Sequence, residues 1–266
     1  MKVFAIAAVL SLACAVGSWA QSSDLAGVNV ASDRATLSSL GFGGDGTVGI
    51  SDGVNGTQET AHYNFSYDGK VPFVTVHHSN GKLEKWLALF PTGKNPRGMF
   101  VYHGSGEDPV WYWGNDPLFL GTDSVKATAS TALSEGTTVY GPGNAIDLRD
   151  GTPWATKGSA VGQSITFAST ASSTLIRSLA LSIGFVSYDK PYLYEANSRP
   201  HLIRISDLEG RFTVDMNLAD TPKIQFVNLP EATSGVKIEV ISVYPGSRWM
   251  DTCVNFILPA SDYWAQ

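Results

Sequence analysis

Apolar residues recur at every second position along most of this chain, and that alternation sets the kind of element it can form. In "GRFTVDMN", Phe212, Val214 and Met216 share one face while Arg211, Thr213, Asp215 and Asn217 share the other. "TLIRSLALSIGF" aligns Leu175, Leu179, Leu181 and Ile183, interrupted by Arg177, and "KIQFVNL" and "VKIEV" repeat the pattern. A period of two belongs to strands, whose successive side chains point to opposite faces. Helical periodicity is scarce, and clusters of Gly, Pro, Asn or Asp separate the runs. The expected fold class is therefore all-β, with short antiparallel strands in a sandwich or barrel.

The chain divides near "DSVKATASTALSEGTT", residues 123–138, which is small, polar and free of aromatics. Before it, "AHYNFSY", "VPFVTVHH", "KLEKWLALF", "GMFVYHG" and "VWYWG" read as five strands of a meander, with tight turns at "YDGK" and "SNGK". After it, seven or eight strand candidates suit a jelly-roll sandwich. The expected organisation is a leader over 1–20, a smaller β-meander domain of unassigned family over 21–122, a linker and lead-in over 123–138, and a sandwich over 139–266.

The leader reading rests on Lys2, the apolar run "VFAIAAVLSLACAVG", and the small residues Ser18 and Ala20 before a cleavage point. That is the pattern of a secretory signal peptide, too short and wrongly flanked for a membrane span. The rival is lipidation at Cys14 within "LSLAC", although Ser11 stands where an aliphatic residue is preferred. Cleavage after Ala20 leaves about 246 residues, which suits one large β domain or two ordinary ones. Cys253 is then the sole cysteine, so no intrachain disulfide is expected, and inside an apolar strand pattern it reads as a small buried hydrophobe. The net charge is −6 and the Lys and Arg are dispersed, which argues against a nucleic-acid partner. No later segment is long and apolar enough to be a transmembrane helix.

Motifs that suggest chemistry do not hold up in context. "GFGGDG", residues 41–46, spells a dinucleotide-binding string, but it runs into "TVGISDGVNG", which is more turn than helix, so it reads as a glycine-rich loop. "HGSGED", residues 103–108, has His103 where a nucleophile elbow needs glycine, and reads as a hairpin turn. His77 and His78 are adjacent on a strand and point to opposite faces, and His62, His103 and His201 stand alone, so no metal site is expected. A glycosidase carboxylate pair is not recognisable without geometry. No catalytic residues are assigned.

Aromatics beside connections carry more information. Trp154, Tyr188, Tyr192, Tyr194 and Trp249 lie in or near turns, and "SYDKPYLYEANSRPH", residues 187–201, adds Asp189, Glu195, Asn197 and Arg199. A sugar is recognised by such a mixture, a flat ring against its C–H face and planar polar groups for its hydroxyls. The candidate glycan-binding residues are Trp154, Tyr188, Tyr192, Asn197 and Arg199. The competing role for each is to pin a loop to the sandwich, and Trp154 competes most directly as a core anchor.

Several stretches together resemble, in order, the NADase-type glycan-binding domain, a discoidin-like domain of the coagulation factor 5/8 type C kind known as the translocation domain of streptococcal NAD glycohydrolase. "KATASTALSEGTTVYGPGNAIDLRDGTPW" carries its pattern through Tyr140, Asn144, Asp147, Thr152 and Trp154, with Leu148 replacing a glycine. "GQSITF" matches the next strand, "YEANSRPHLIRI" supplies Asn197, Arg199 and Pro200, and "VISVYPGSRWMDTC" carries the Val-Tyr-Pro-Gly signature from Val243 to Gly246, then Asp251, Thr252 and Cys253. The resemblance covers roughly residues 125–259. It implies a discoidin-like jelly roll that binds glycans or glycoconjugates. Related domains often hold a structural calcium with the Asp loop and a glutamate of the last strand; Phe256 stands in that glutamate's place, which puts calcium in doubt. The chain runs only about seven residues past the resemblance, so no separate NAD-hydrolysing domain is expected there. The resulting expectation is a secreted carbohydrate-binding protein that is not an enzyme. The alternatives are a polysaccharide-active enzyme whose meander is catalytic, or a structural cell-surface protein.

Overall fold

A computed structural model describes residues 24–31, 38–53, 55–93, 98–113 and 119–264. Both leader readings, cleavage after Ala20 and lipidation at Cys14, lie outside the described residues. Eight strands succeed one another in a single antiparallel sheet: β1 Asn29–Ala31, β2 Ser39–Phe42, β3 Thr47–Asp52, β4 Thr57–Asp68, β5 Val71–His77, β6 Leu83–Leu89, β7 Gly98–Tyr102 and β8 Val110–Trp113. The five strands read from the sequence are β4 to β8, and β1 to β3 extend the meander. The glycine-rich string turns β2 into β3, with Gly46 at φ 82° and the Gly43 N–H donating to the Thr47 carbonyl at 2.7 Å. Residues 47–52, which read as turn, form a strand because Thr57–His62 of β4 give them a continuous ladder.

One face of this sheet closes on itself. Leu40, Phe42, Val48, Tyr63, Phe65, Val74, Val76, Trp86, Phe90, Met99 and Val101 form a separate core, and the sheet curls until β1 meets β7 and β8. The opposite face of β5 to β8 presents Val71, Phe73, Leu87, Leu89, Phe100, Tyr102 and Trp113 to a second core. This is why β7 is buried at every residue.

That second core belongs equally to the rest of the chain. There the order is β9 Val125–Ala129, β10 Leu133–Glu135, β11 Thr138–Tyr140, α1 Asn144–Asp147, β12 Trp154–Ala155, β13 Ser164–Ser169, β14 Ile176–Ile183, α2 Leu193–Ala196, β15 Arg199–Asp207, β16 Thr213–Asn217, β17 Gln225–Thr233, β18 Gly235–Tyr244 and β19 Cys253–Ala260. They build a four-stranded sheet, β12-β19-β14-β17, and a five-stranded sheet, β16-β15-β18-β13-β9, both antiparallel. The expected all-β jelly-roll sandwich is what the chain forms. Residues 123–138 contribute β9 to the edge of the five-stranded sheet, where it pairs with β13.

Between the two sheets lie Trp154, Ile165, Leu181, Ile183, Ile203, Ile238, Val254 and Ile257. The outer side of the four-stranded sheet is covered by the meander. Phe100 meets Phe256 edge-on at 5.6 Å, and Trp113 meets Phe226 at 6.1 Å. Backbone hydrogen bonds stitch the same seam, from Ile224 N–H to the Phe90 carbonyl at 2.9 Å and from Leu120 N–H to the Pro259 carbonyl at 2.8 Å. Phe256 is fully buried there, a contribution of about 1.5–3 kcal/mol. The position where the resemblance calls for a calcium-binding glutamate instead anchors the meander.

Candidate functional site

The "PGSRWMD" connection between β18 and β19 lies flat against the end of α2. Backbone N–H groups of Arg248 and Trp249 donate to the Ala196 carbonyl, and that of Ser247 to the Glu195 carbonyl. A Cβ on Gly246 would stand 2.3 Å from the Trp249 carbonyl oxygen and 2.5 Å from that of Ala196, so only glycine lets the two backbones approach. Asp251 then accepts the Gly158 N–H, and the Thr252 hydroxyl accepts the Ala160 N–H at 3.0 Å. The signature turn thus fixes three loops at one end of the sandwich and leaves Trp249 partly exposed.

The turn and the α2 end border a cleft of about 460 Å³, whose other sides come from residues 133–140, 150–155, 185–190 and 105–106. Its rings are Tyr140, Phe185, Tyr192 and Trp249, its amide is Asn197, and its charged groups are Glu135, Asp150, Asp189 and Asp251 against Lys190. Tyr140 and Phe185 contact each other at 5.9 Å, and Arg248 lies 5.9 Å from the Tyr192 ring. Tyr192 is half exposed, offering a ring face to solvent. Burial, opposed by two backbone N–H donors, raises the pKa of the Asp150 carboxyl above the usual carboxylate range.

Of the five residues expected at a ligand site, the structure brings Tyr192 and Asn197 together in this cleft. The other three are held elsewhere. Trp154 is buried in the core and its indole N–H donates to the Thr131 carbonyl at 3.0 Å. Arg199 is 5 % exposed: its Nε and Nη2 engage Asp220 at 2.7 and 3.1 Å, and Nη1 donates to the Tyr194 and Asn197 carbonyls. With its fork filled by internal acceptors, Arg199 has little left for a sugar. Tyr188 clamps the seam, its hydroxyl donating to the Lys85 carbonyl at 2.8 Å and its ring standing edge-on to Phe73 at 6.0 Å. Tyr194 is wholly buried against Gly184, where a Cβ would come within 2.5 Å of its ring.

Sequence reasoning missed Tyr140, Phe185, Asp150 and Glu135 as lining groups. Glu135, Tyr140 and Asp150 lie in the motif-bearing stretch of residues 126–154, and that proximity was the available signal; Phe185 had none. Phe256, in the place of the calcium-binding glutamate, offers no oxygen, and in the same Asp loop both Asp150 oxygens accept backbone N–H groups from Gly106 and Tyr188, so these two side chains do not fit the ion.

A family model described as the NAD glycohydrolase translocation F5/8 type C domain matches residues 119–258. Solved structures with a similar course of chain include CBM32-3 from a family 31 glycoside hydrolase of Clostridium perfringens, 10 % identical over 55 % of this chain and 96 % of that one, with a TM-score of 0.42. The family 32 carbohydrate-binding module of Streptococcus pneumoniae EndoD is 8 % identical over 51 % of this chain and 96 % of that one, at 0.39. The CBM32 of AlyQ, solved with 4,5-unsaturated mannuronic acid, is 16 % identical over 51 % and 94 %, at 0.35. No curated protein matches the chain.

Proposed function

The chain belongs to the NAD glycohydrolase translocation F5/8 type C domain family, and on that premise we propose that it is an exported glycan-binding protein that recognises rather than transforms its ligand. The observation that carries this reading is the cleft at the loop end of the sandwich, where partly exposed rings stand beside carboxylate and amide acceptors. A pyranose needs that combination, C–H groups against Tyr192 or Trp249 and hydroxyl hydrogens donated to oxygens at the rim. With Asp150 buried and held by backbone N–H groups, Glu135, Asp189 and Asp251 stand against Lys190 and the Arg248 beside Tyr192, and the remaining negative excess favours a neutral or amine-bearing sugar over a uronate. An open site competes with water for each hydrogen bond, so single-sugar affinity falls in the millimolar to micromolar range, about −4 to −8 kcal/mol. Export rests on the tripartite leader over residues 1–20, and N-terminal sequencing of the exported protein checks it by beginning at Gln21.

Isothermal titration of the whole protein with galactose, mannose, N-acetylglucosamine, glucosamine and galacturonate tests the binding reading. At least one neutral or amine sugar binds, and galacturonate binds more weakly. Silence from every sugar up to about 50 mM, a concentration that reveals millimolar affinity, sinks it.

A further inference from the structure

We propose that the β7–β8 connection of the meander, residues 103–108, is a wall of the sugar cleft, so that the ligand is held by both halves of the chain at once; this rests on the glycan reading above. Ser105 and Gly106 line the cleft opposite the loops of the sandwich. Neither was a candidate from the sequence, and neither lies within the family match.

The wall is fixed. Gly106 N–H donates to Asp150 Oδ2 at 3.1 Å, and Asp150 N–H returns a bond to the Glu107 carbonyl at 3.0 Å. Arg149 Nε donates to the Gly106 carbonyl at 2.7 Å, and one turn behind the wall the Tyr102 hydroxyl donates to the Leu148 carbonyl at 2.8 Å. The other Asp150 oxygen accepts the Tyr188 N–H at 2.8 Å, so one buried carboxylate holds the meander loop and the 187–190 loop in fixed relation.

The Asp loop is bent to make these bonds. Leu148 has φ 52°, in the left-handed region, and is the sole non-glycine residue there among those described. It occupies the position where the resemblance calls for glycine. A branched side chain in that region is strained, and the conformation persists only where its surroundings hold it. Here they do, since the side chain is buried and the carbonyl is bonded across the seam. The strain is kept at the point where the sandwich grips the meander loop, which is where a composite cleft needs its two walls set.

Gly106 and Ser105 are small, and Ser105 is exposed, so the wall admits a bulky change without touching the core. Ser105→Trp should place a ring in the cleft, lower the affinity for whichever of galactose, mannose, N-acetylglucosamine or glucosamine the wild type binds by on the order of tenfold, and leave the unfolding temperature unchanged. Hydrogen–deuterium exchange on the unaltered protein gives an independent reading. The same sugar at saturation should protect amides of residues 103–108 together with those of 192–197. If the sugar protects only the sandwich segment, or if Tyr192→Ala weakens binding while Ser105→Trp does not, the inference falls and the glycan reading stands. If none of those sugars binds the wild type, both fall together.

Discussion

The two sheets of the sandwich are built from the same kind of strand and read very differently. β19 of the four-stranded sheet, "CVNFILPA", is buried at every residue, whereas β16 of the five-stranded sheet, "TVDMN", alternates exposed and half-buried positions. The first sheet is a middle layer, with the sandwich core on one side and the meander on the other; the second faces water. Unbroken apolar sequence marks a strand covered on both faces, and clean alternation marks one covered on a single face.

β14 shows how such cover can be concealed. Leu179, Leu181 and Ile183 point into the sandwich, and the intervening Ser178, Ala180 and Ser182 lie on the side of the meander, all of them buried. Reading the large residues alone suggests a strand with one wet face. The signal for the second layer was that the other face is small rather than charged, leaving room for the aromatics of β7 and β8 to approach.

Phe256 tests the middle layer directly. Phe256→Ala removes a fully buried ring in contact with Phe100 and should destabilise the protein by about 3–5 kcal/mol. Because one core runs through both halves, denaturant unfolding followed by tryptophan fluorescence and by far-ultraviolet circular dichroism should give coincident single transitions, before and after substitution. Two separated transitions in the wild type would show instead that the meander is a domain leaning on a finished sandwich.

Arg199→Ala comes next. Arg199 and Lys70 of the meander both bind Asp220 at the seam, with Arg199 Nε 2.7 Å from Asp220 Oδ1. Removing Arg199 leaves the partly buried Asp220 carboxylate to Lys70 and the Tyr194 hydroxyl, and takes the donor from the Tyr194 and Asn197 carbonyls, at a cost of about 3 kcal/mol. Burial resists ionisation of Asp220, but hydrogen bonds from Arg199 and Lys70 outweigh it and hold the carboxyl below its usual range. A lowered folded value means that the stabilisation is present above the unfolded value near 3.9 and is lost as pH falls through the folded one. The difference between wild type and variant should therefore shrink in acid titrations below about pH 4. A deficit that persists unchanged to lower pH would assign the effect to lost packing.

Substitutions at the rim of the cleft should separate binding from stability. Tyr192 and Trp249 are half exposed, so replacing either by alanine should weaken sugar binding by about 1 kcal/mol, roughly fivefold, while the unfolding free energy moves by no more than about 0.5 kcal/mol. Calorimetric titration beside thermal unfolding for each variant checks this. Unchanged affinity in both variants would remove these rings from the site.

How much of this arrangement was legible depended on which neighbours a residue has. Strand pattern comes from local alternation, so β4 to β8 and the jelly roll could be read directly. The turn at Pro245–Gly246 could be recognised as a motif, but its reason, the backbone of residues 196 and 197 lying against it, is set by packing far along the chain. Arg199 is the clearest miss. An arginine beside tyrosines and an asparagine has sugar-binding chemistry, yet Asp220, 21 residues away in sequence, occupies its fork. Tyr192 and Asn197 line the cleft, but Asn197 is buried and its amide N–H already donates to the Leu193 carbonyl at 3.0 Å, so only the fold could say which side chains were already engaged.

On the wet face of the five-stranded sheet a substitution should cost almost nothing. Arg204 and Asp215 face each other across β15 and β16 in a two-pronged pair, Nε to Oδ1 at 2.8 Å and Nη2 to Oδ2 at 2.9 Å. The hydrogen bond from Arg204, opposed by slight burial, lowers the pKa of Asp215, much as Asp220 is held at the seam. Geometry alone would rank the two pairs together. Solvent separates them, because both partners of the outer pair are more than two-fifths exposed, and water and salt screen their mutual attraction. Arg204→Ala should therefore leave the unfolding midpoint where it was, and added salt should change neither protein's response relative to the other. A loss comparable to that of Arg199→Ala would mean that the outer face of the five-stranded sheet is covered too, and that the difference between the two sheets is one of sequence rather than of cover.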